Sequence, residues 1–419
     1  MLSLYNAETP RKQGSGKRGK GPKIGLAIAG GGPVGAIYEL GALQAIDEAL
    51  DGARLHELDI YIGISAGSFI VSSLANDISS AEICRTVVDH PAAEFSLNSD
   101  DFFRPDFQQY LDTAKRIPSV LKKNLLRIIK DPYHSSLSAV FDSIGSSLPS
   151  GIFDSESIEL YLRKMYESGG RTNNFSELDC TLYLVAVNLD TGTAVRFGDK
   201  EHSDVPISKA VQASAALPAL YTPVPINGTY YVDGALRRTL HASAALDEGV
   251  DLLIGINPLV PFSSDEDGDP RPGPLPVSKL VQGGLPMILS QTFRALIQSR
   301  MQVGFKKYRK SHPGSDLMLL EPNQGDEQIF FTNAFSFSSR NALCDHAYRT
   351  TRLDLLNRAD ELQKMLGKFG ITVNREILED KDRSLQDSLS EGYYGRADVS
   401  RNLSRTLKEL EHQLKKRAS

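Results

Sequence analysis

Between residue 23 and about residue 260, short apolar runs alternate with stretches whose apolar positions recur at helical spacing. The runs are IGLAIA (24–29), LDIYIGI (58–64), CTLYLVAVNL (180–189), TYYV (229–232) and DLLIGIN (251–257). Runs this short, with few polar interruptions, suit strands covered on both faces. The helical patterns between them supply crossovers, so the chain predicts an α/β fold built on a largely parallel sheet. Residues 76–174 lack strong strand signals and read as a mostly helical insertion. PFSSDEDGDPRPGPLP (261–276) is a loop by its Pro, Asp and Gly content. Residues 277–375 read as a helical extension packed on the core, interrupted by DLMLLEP (316–322), a candidate further strand. Residues 376–419 read as a charged, peripheral helical tail, and residues 1–22, rich in Gly, Lys and Arg, as a disordered basic tail.

Two features of this pattern carry chemistry. In KIGLAIAGGGPVGAIYELGAL (23–43) an apolar run enters a glycine cluster and a helical pattern follows. Gly30, Gly32 and Gly35 satisfy G-x-G-x-x-G, which suits a dinucleotide pyrophosphate. The same loop also suits an oxyanion hole, in which bare backbone N–H groups face a developing anion. A dinucleotide site needs an acid at the end of the second strand, whereas LDIYIGI runs straight into Ser65, Ala66 and Gly67. Glu48 and Asp51 lie at about the right count but fall at the end of the preceding helix. That missing acid disfavours a nicotinamide or flavin cofactor.

The second strand instead ends in GISAG, a G-x-S-x-G at a strand-to-helix junction. Gly63 and Gly67 permit a sharp turn that projects the Ser65 hydroxyl from the edge of the sheet. The helix that follows directs its positive end and free N–H groups at the same point. Ala66 N–H then joins those of Gly30, Gly31 and Gly32 around one position. A serine nucleophile needs a base. His241, His312 and His346 follow Ser65, but none sits in a strand-end loop. Asp233, in TYYVDGALRR, ends a strand and precedes Gly234, which permits a tight exit; an ordinary turn aspartate fits that position equally well.

The ordered set GGGxxG, GxSxG and DG[GA] resembles the patatin-like phospholipases. The resemblance extends to SGIFDSESIELYL (150–162), LYLVAVNLDTGTAVRF (182–197) and ISKAVQASAALPALYTPVPINGTYYVDGALRR (207–238), and covers residues 23–260 as a catalytic domain. It implies a three-layer fold with a central, mostly parallel sheet flanked by helices. It also implies a catalytic dyad of Ser65 (nucleophile) and Asp233 (base) without histidine, and an acyl-enzyme route that needs neither metal nor cofactor. The implied activity is hydrolysis of phospholipids or lysophospholipids. A non-phospholipid esterase, a thioesterase or an acyltransferase on the same dyad is the alternative. Two departures stand out: Pro33 and Val34 occupy the loop where the family often has a basic residue, and Ala235 then LRRTL follow where it commonly has a second Gly, Asn and Pro. The first leaves the backbone donors in place, while the second alters the neighbours of the base.

Composition narrows the partners. A net charge of −5 gives no global reason to expect nucleic acid. Cys84, Cys180 and Cys344 are far apart, with no CxxC, against a zinc or disulfide framework and consistent with a reducing compartment. No apolar secretion signal or membrane-spanning run stands out, so the expectation is a soluble, cytoplasmic chain. An anionic membrane surface is nevertheless a candidate partner. TAKRIPSVLKKNLLRIIK (113–130) carries six Lys/Arg and no acid, with a helical apolar stripe. The same stripe fits a lid helix packed on the core, and the sequence does not separate the two.

Overall fold

The computed structural model describes residues 1–9, 21–88, 150–237, 240–263, 280–332 and 337–394. Nine strands form the main sheet: β1 (Leu2–Tyr5), β2 (Ile24–Ile28), β3 (Ile60–Ile64), β4 (Thr181–Asn188), β5 (Ala194–Phe197), β6 (Val224–Ile226), β7 (Thr229–Asp233), β8 (Leu252–Ile256) and β9 (Asp316–Leu320). Their spatial order is β1-β9-β8-β2-β3-β4-β7-β6, with β5 also paired to β4. The five central strands, β9 to β4, run parallel, while β1, β5 and β7 pair antiparallel to their neighbours.

Parallel strands need crossovers, and these put helices on both faces. Alternate residues of the strands therefore enter two separate cores. Leu26, Ile28, Tyr61 and Leu184 pack on one face, against α1 (Gly32–Ala49), α2 (Ala66–Ala75), α3 (Ser80–Val88), α4 (Glu156–Tyr166) and α5 (Ile207–Ser214). Ala27, Ile60, Ile62 and Val185 pack on the other, with Leu246 and with Met301 and Phe305 of α6 (Gly284–Ser311). Burying an aliphatic side chain of this size stabilises the fold by about 1.5–3 kcal/mol. The architecture is thus three layers, helix on sheet on helix.

Two parts of the chain differ from the sequence expectation. Leu2–Tyr5, in the stretch read as a disordered tail, form edge strand β1, with Leu2 opposite Leu320. The alternation in LSLY suits an edge that buries Leu2, while residues 10–20 lie outside the described residues. DLMLL, the candidate further strand, is β9, in the main sheet beside β8. The stretch read as a charged tail is not peripheral over its first part: Leu378, Leu385 and Leu389 are buried in the larger core.

The C-terminal region is held by a buried ionic cluster around Glu48, whose side chain is 8% exposed. Glu48 accepts from Arg383 at 3.1 Å and from the Ser388 hydroxyl, carried on α8 (Leu385–Tyr394), at 2.5 Å. It also accepts from Tyr348 of α7 (Phe337–Asn357) and lies 3.5 Å from Arg352 Nε. The Arg352 guanidinium donates in turn to the carbonyls of Ile377, Asp380 and Arg383. The acid that stood near a dinucleotide count is therefore a structural anchor joining α1 to α7 and α8. Removing it strands two buried guanidinium groups, so Glu48→Ala is expected to cost about 3–5 kcal/mol in urea unfolding. A loss under about 1 kcal/mol would show that the cluster does not hold the C-terminal region.

Candidate active site

Strand register brings the predicted residues together. Ile64, the last residue of β3, pairs with Val185 of β4, and Asp233, the last residue of β7, pairs with the next residue of β4, Ala186. Ser65 follows Ile64, so Ser65 and Asp233 leave the sheet at one level on either side of β4.

At Ser65 the chain turns from β3 into α2 with φ 54° and ψ −127°. A side-chain-bearing residue in that region is strained, and it persists only because its surroundings impose it. Gly67 lies so close to β2 that a Cβ there would stand 2.4 Å from the Ala29 carbonyl oxygen. A Cβ on Gly63 would stand 2.6 Å from Ser68 Cα. Ser214, at the end of α5, completes the clamp: Ser65 N–H donates to Ser214 Oγ at 2.9 Å, and Ser214 Oγ donates to the Val185 carbonyl at 2.6 Å. The Ser65 N–H is thereby occupied, and Ala66 N–H is left as the donor at the start of α2.

The glycine loop meets this turn from the other side. A Cβ on Gly30 would lie 2.5 Å from Ser65 Cβ, so only glycine allows the loop to close over the serine. Gly31 caps α1, and its carbonyl accepts from Gly35 N–H at 3.0 Å. Gly32 takes φ +60°, a left-handed conformation suited to glycine. Pro258, after β8, packs on Gly31 and Gly35, where added Cβ atoms would stand 2.6 and 3.0 Å from its ring. The N-termini of α1 and α2 therefore flank Ser65, and neither helix carries an acid in its first turn. Their combined partial positive charge favours an anion between them.

Asp233 is 1% exposed and accepts from Ala235 N–H at 2.8 Å. Burial pushes its carboxyl up to about 6, and donation from the neighbouring Ser65 hydroxyl and the Ala235 N–H limits the rise. A Cβ on Gly234 would stand 2.2 Å from the Val185 carbonyl oxygen, so the turn after Asp233 requires glycine as well. Two of the three candidate histidines are engaged with other carboxylates. His312 pairs with Asp247 at 3.1 Å and His346 with Asp326 at 2.6 Å. His241 precedes the short helix Ser243–Asp247 and is buried. Among the described residues, no group of three or more His, Cys, Asp or Glu is placed to hold a metal ion. No helix among them is long and apolar enough to cross a membrane.

Sequence reasoning missed Ser214 and Pro258. Ser214 stands in QASAALP, and Pro258 directly follows the run DLLIGIN. Neither has a local signature, because each acts on a residue far away in the chain. The basic stretch 113–130 lies outside the described residues.

Comparison with known proteins gives four further findings. A family model described as patatin-like phospholipase matches residues 26–246. An uncharacterized protein of Acanthamoeba polyphaga mimivirus is 26% identical over 248 residues, which is 58% of this chain and 67% of that relative. Among solved structures, VipD from Legionella pneumophila aligns at 14% identity with a TM-score of 0.33, covering 98% of this chain and 91% of that one. ExoU in its complex with SpcU, from Pseudomonas aeruginosa, aligns at 14% identity with a TM-score of 0.27, covering 82% of this chain and 61% of that one.

The raised carboxyl has a consequence for stability. Its protonated form favours the fold, so its contribution is fully present below its ordinary value of 3.8 and is lost as pH rises through about 6. Near neutral pH the ionised, buried group therefore costs the fold on the order of 3 kcal/mol. Asp233→Asn removes that cost while keeping an acceptor for Ala235 N–H. Thermal unfolding is expected to find the variant more stable than wild type at pH 7.5, with the gap closing towards pH 4. A variant less stable than wild type at pH 7.5 would contradict the origin given for the shift.

Proposed function

The chain belongs to the patatin-like phospholipase family, and we propose that it is a lipid acyl hydrolase of the phospholipase A or lysophospholipase type in which Ser65 is the nucleophile and Asp233 its base. The observation that carries this reading is the meeting of the Ser65 hydroxyl with a buried, raised carboxylate between two helix N-termini.

Each step follows from those groups. With the ester carbonyl over the turn, Ser65 Oγ attacks the carbonyl carbon as its proton passes to Asp233. An aspartate at its ordinary value is a weak base for a hydroxyl. Burial raises Asp233 towards the pH at which it must act, which strengthens it while leaving it ionised at neutral pH. The negative charge that develops on the carbonyl oxygen falls between the N–H groups of Gly30, Gly31, Gly32 and Ala66. A single preorganised donor of this kind is worth about 3 kcal/mol. Protonated Asp233 then donates to the departing oxygen, which releases the lysolipid or alcohol and leaves the acyl chain on Ser65. The ionised carboxylate next takes a proton from water, whose oxygen attacks the acyl-serine. Asp233 returns that proton to Ser65 Oγ as the fatty acid leaves.

The test is hydrolysis of phosphatidylcholine and of a short p-nitrophenyl ester by purified protein. Ser65→Ala and Asp233→Asn are each expected to lower kcat about a thousandfold or more, because the members of a catalytic unit do not act additively. Wild-type kcat/KM on the short ester should rise with pH through a single ionisation near 6. His241→Ala and His346→Ala should retain the rate. Turnover by Ser65→Ala equal to wild type would remove the serine from the mechanism. Loss of activity in a well-folded histidine variant would replace the dyad with a triad.

A further inference from the structure

Helix α6 is the longest described helix, and it carries an apolar ridge towards solvent. Leu285, Ile288, Leu289, Phe293, Leu296 and Val303 recur at helical spacing on one face, and Leu285 and Val303 are each 68% exposed. The opposite face buries Gln298, Met301 and Phe305 against the protein. Isolated exposed apolar residues are ordinary, but five within about three turns, with Val303 two turns further on, mark a surface that meets something apolar.

Charge says what that something is. Gly284–Ser311 contains six Lys/Arg and no Asp or Glu, in a chain whose net charge is −5. Arg294 is turned inward and Arg309 pairs with Glu8, but Arg300, Lys306, Lys307 and Lys310 are exposed. At helical spacing, Lys307 and Lys310 continue the ridge beyond Val303. One face is thus apolar in its first half and basic in its second. An acyl region edged by anionic headgroups complements it, since binding at such an interface combines apolar burial with attraction to negative lipids.

The helix is also fixed to the rim of the site. Arg300 donates to the Leu236 carbonyl at 3.3 Å, three residues beyond Asp233. Arg294 donates to the carbonyls of Pro258 at 3.1 Å and Val260 at 3.3 Å, and Pro258 packs on the glycine loop. α6 therefore touches both the aspartate turn and the segment that supports the oxyanion loop. We infer that the exposed face of α6 is the docking surface by which the protein lies on an anionic lipid bilayer, with its apolar ridge in the acyl boundary and its lysines on the headgroups. The inference rests on the lipid-hydrolase reading and supplies the route by which a membrane lipid reaches Ser65.

The test separates docking from chemistry. Flotation with phosphatidylcholine vesicles, with and without phosphatidylserine, is read on wild type and on Ser65→Ala, so binding is scored whether or not lipid is turned over. Both proteins should float preferentially with the anionic vesicles, and salt should weaken that preference. The triple variant Leu285→Ser, Leu289→Ser, Phe293→Ser should lose about tenfold or more of its vesicle partition. Its hydrolysis of vesicle lipid should fall in parallel, while hydrolysis of a soluble short-chain ester stays within about twofold. Lys306→Gln, Lys307→Gln, Lys310→Gln should abolish the preference for phosphatidylserine and retain binding through the ridge. Equal vesicle partition by the apolar variant and wild type overturns the inference. If that equality comes with a dimer that dissociates in the variant, the ridge joins two copies; if it comes with a fall in thermal stability, another part of this chain covers it. Vesicle binding without any ester hydrolysis would leave the docking face standing and remove the catalytic reading instead.

Discussion

β4 pairs with β3 on one side and β7 on the other, and the register of those two pairings sets the geometry of the site. Ile64 opposite Val185 and Asp233 opposite Ala186 deliver the serine turn and the aspartate turn to one level of the sheet. A slip of one residue in β7 would send the Asp233 side chain to the opposite face. The contacts that keep the register tight converge on Val185 of β4. Gly234 presses on the Val185 carbonyl, and Ser214 ties that carbonyl to the backbone N–H of Ser65. Gly30 then closes on Ser65 from β2, so three neighbouring strands meet at one hydroxyl.

This arrangement is unfavourable taken alone. It holds a serine at positive φ, buries a carboxylate almost completely and points two helix N-termini at one spot. Its stability comes from elsewhere: from two cores on either side of the sheet, and from the Glu48 cluster that ties the C-terminal region to α1. The same features that weaken the fold locally are the ones the proposed chemistry would use. A raised carboxyl is a stronger base, and helix N-termini without acids in their first turns attract a developing oxyanion.

The parts of this molecule that could be read from the sequence are those with a local steric requirement. A chain that turns from strand to helix within one residue needs small neighbours, so GISAG, the glycine loop and the turn at Asp233 and Gly234 were visible as strings. The buried parallel strands were visible as apolar runs for a related reason: both faces exclude water. Strand order was not legible, nor was the antiparallel setting of β7, because pairing partners leave no mark in a single strand. Ser214 and Pro258 were missed since each acts across long sequence distances on residues it does not resemble. β1 was hidden within a polar terminus, where four alternating residues carry little signal. The α6 face was hidden for a different reason. Its apolar positions fit helical periodicity whether they face a core or solvent.

The central claim is that Asp233 activates Ser65, and covalent labelling reads that step without any assumption about the natural lipid. The rate at which a fluorophosphonate modifies the protein is followed across pH, and the modified residue is located by peptide mass spectrometry. The account predicts modification at Ser65, with a rate that climbs through pH 6 in wild type and is low and nearly pH-independent in Asp233→Asn. Modification at Ser65 with the same rate and pH profile in both proteins, or no modification of Ser65 in wild type, would contradict it.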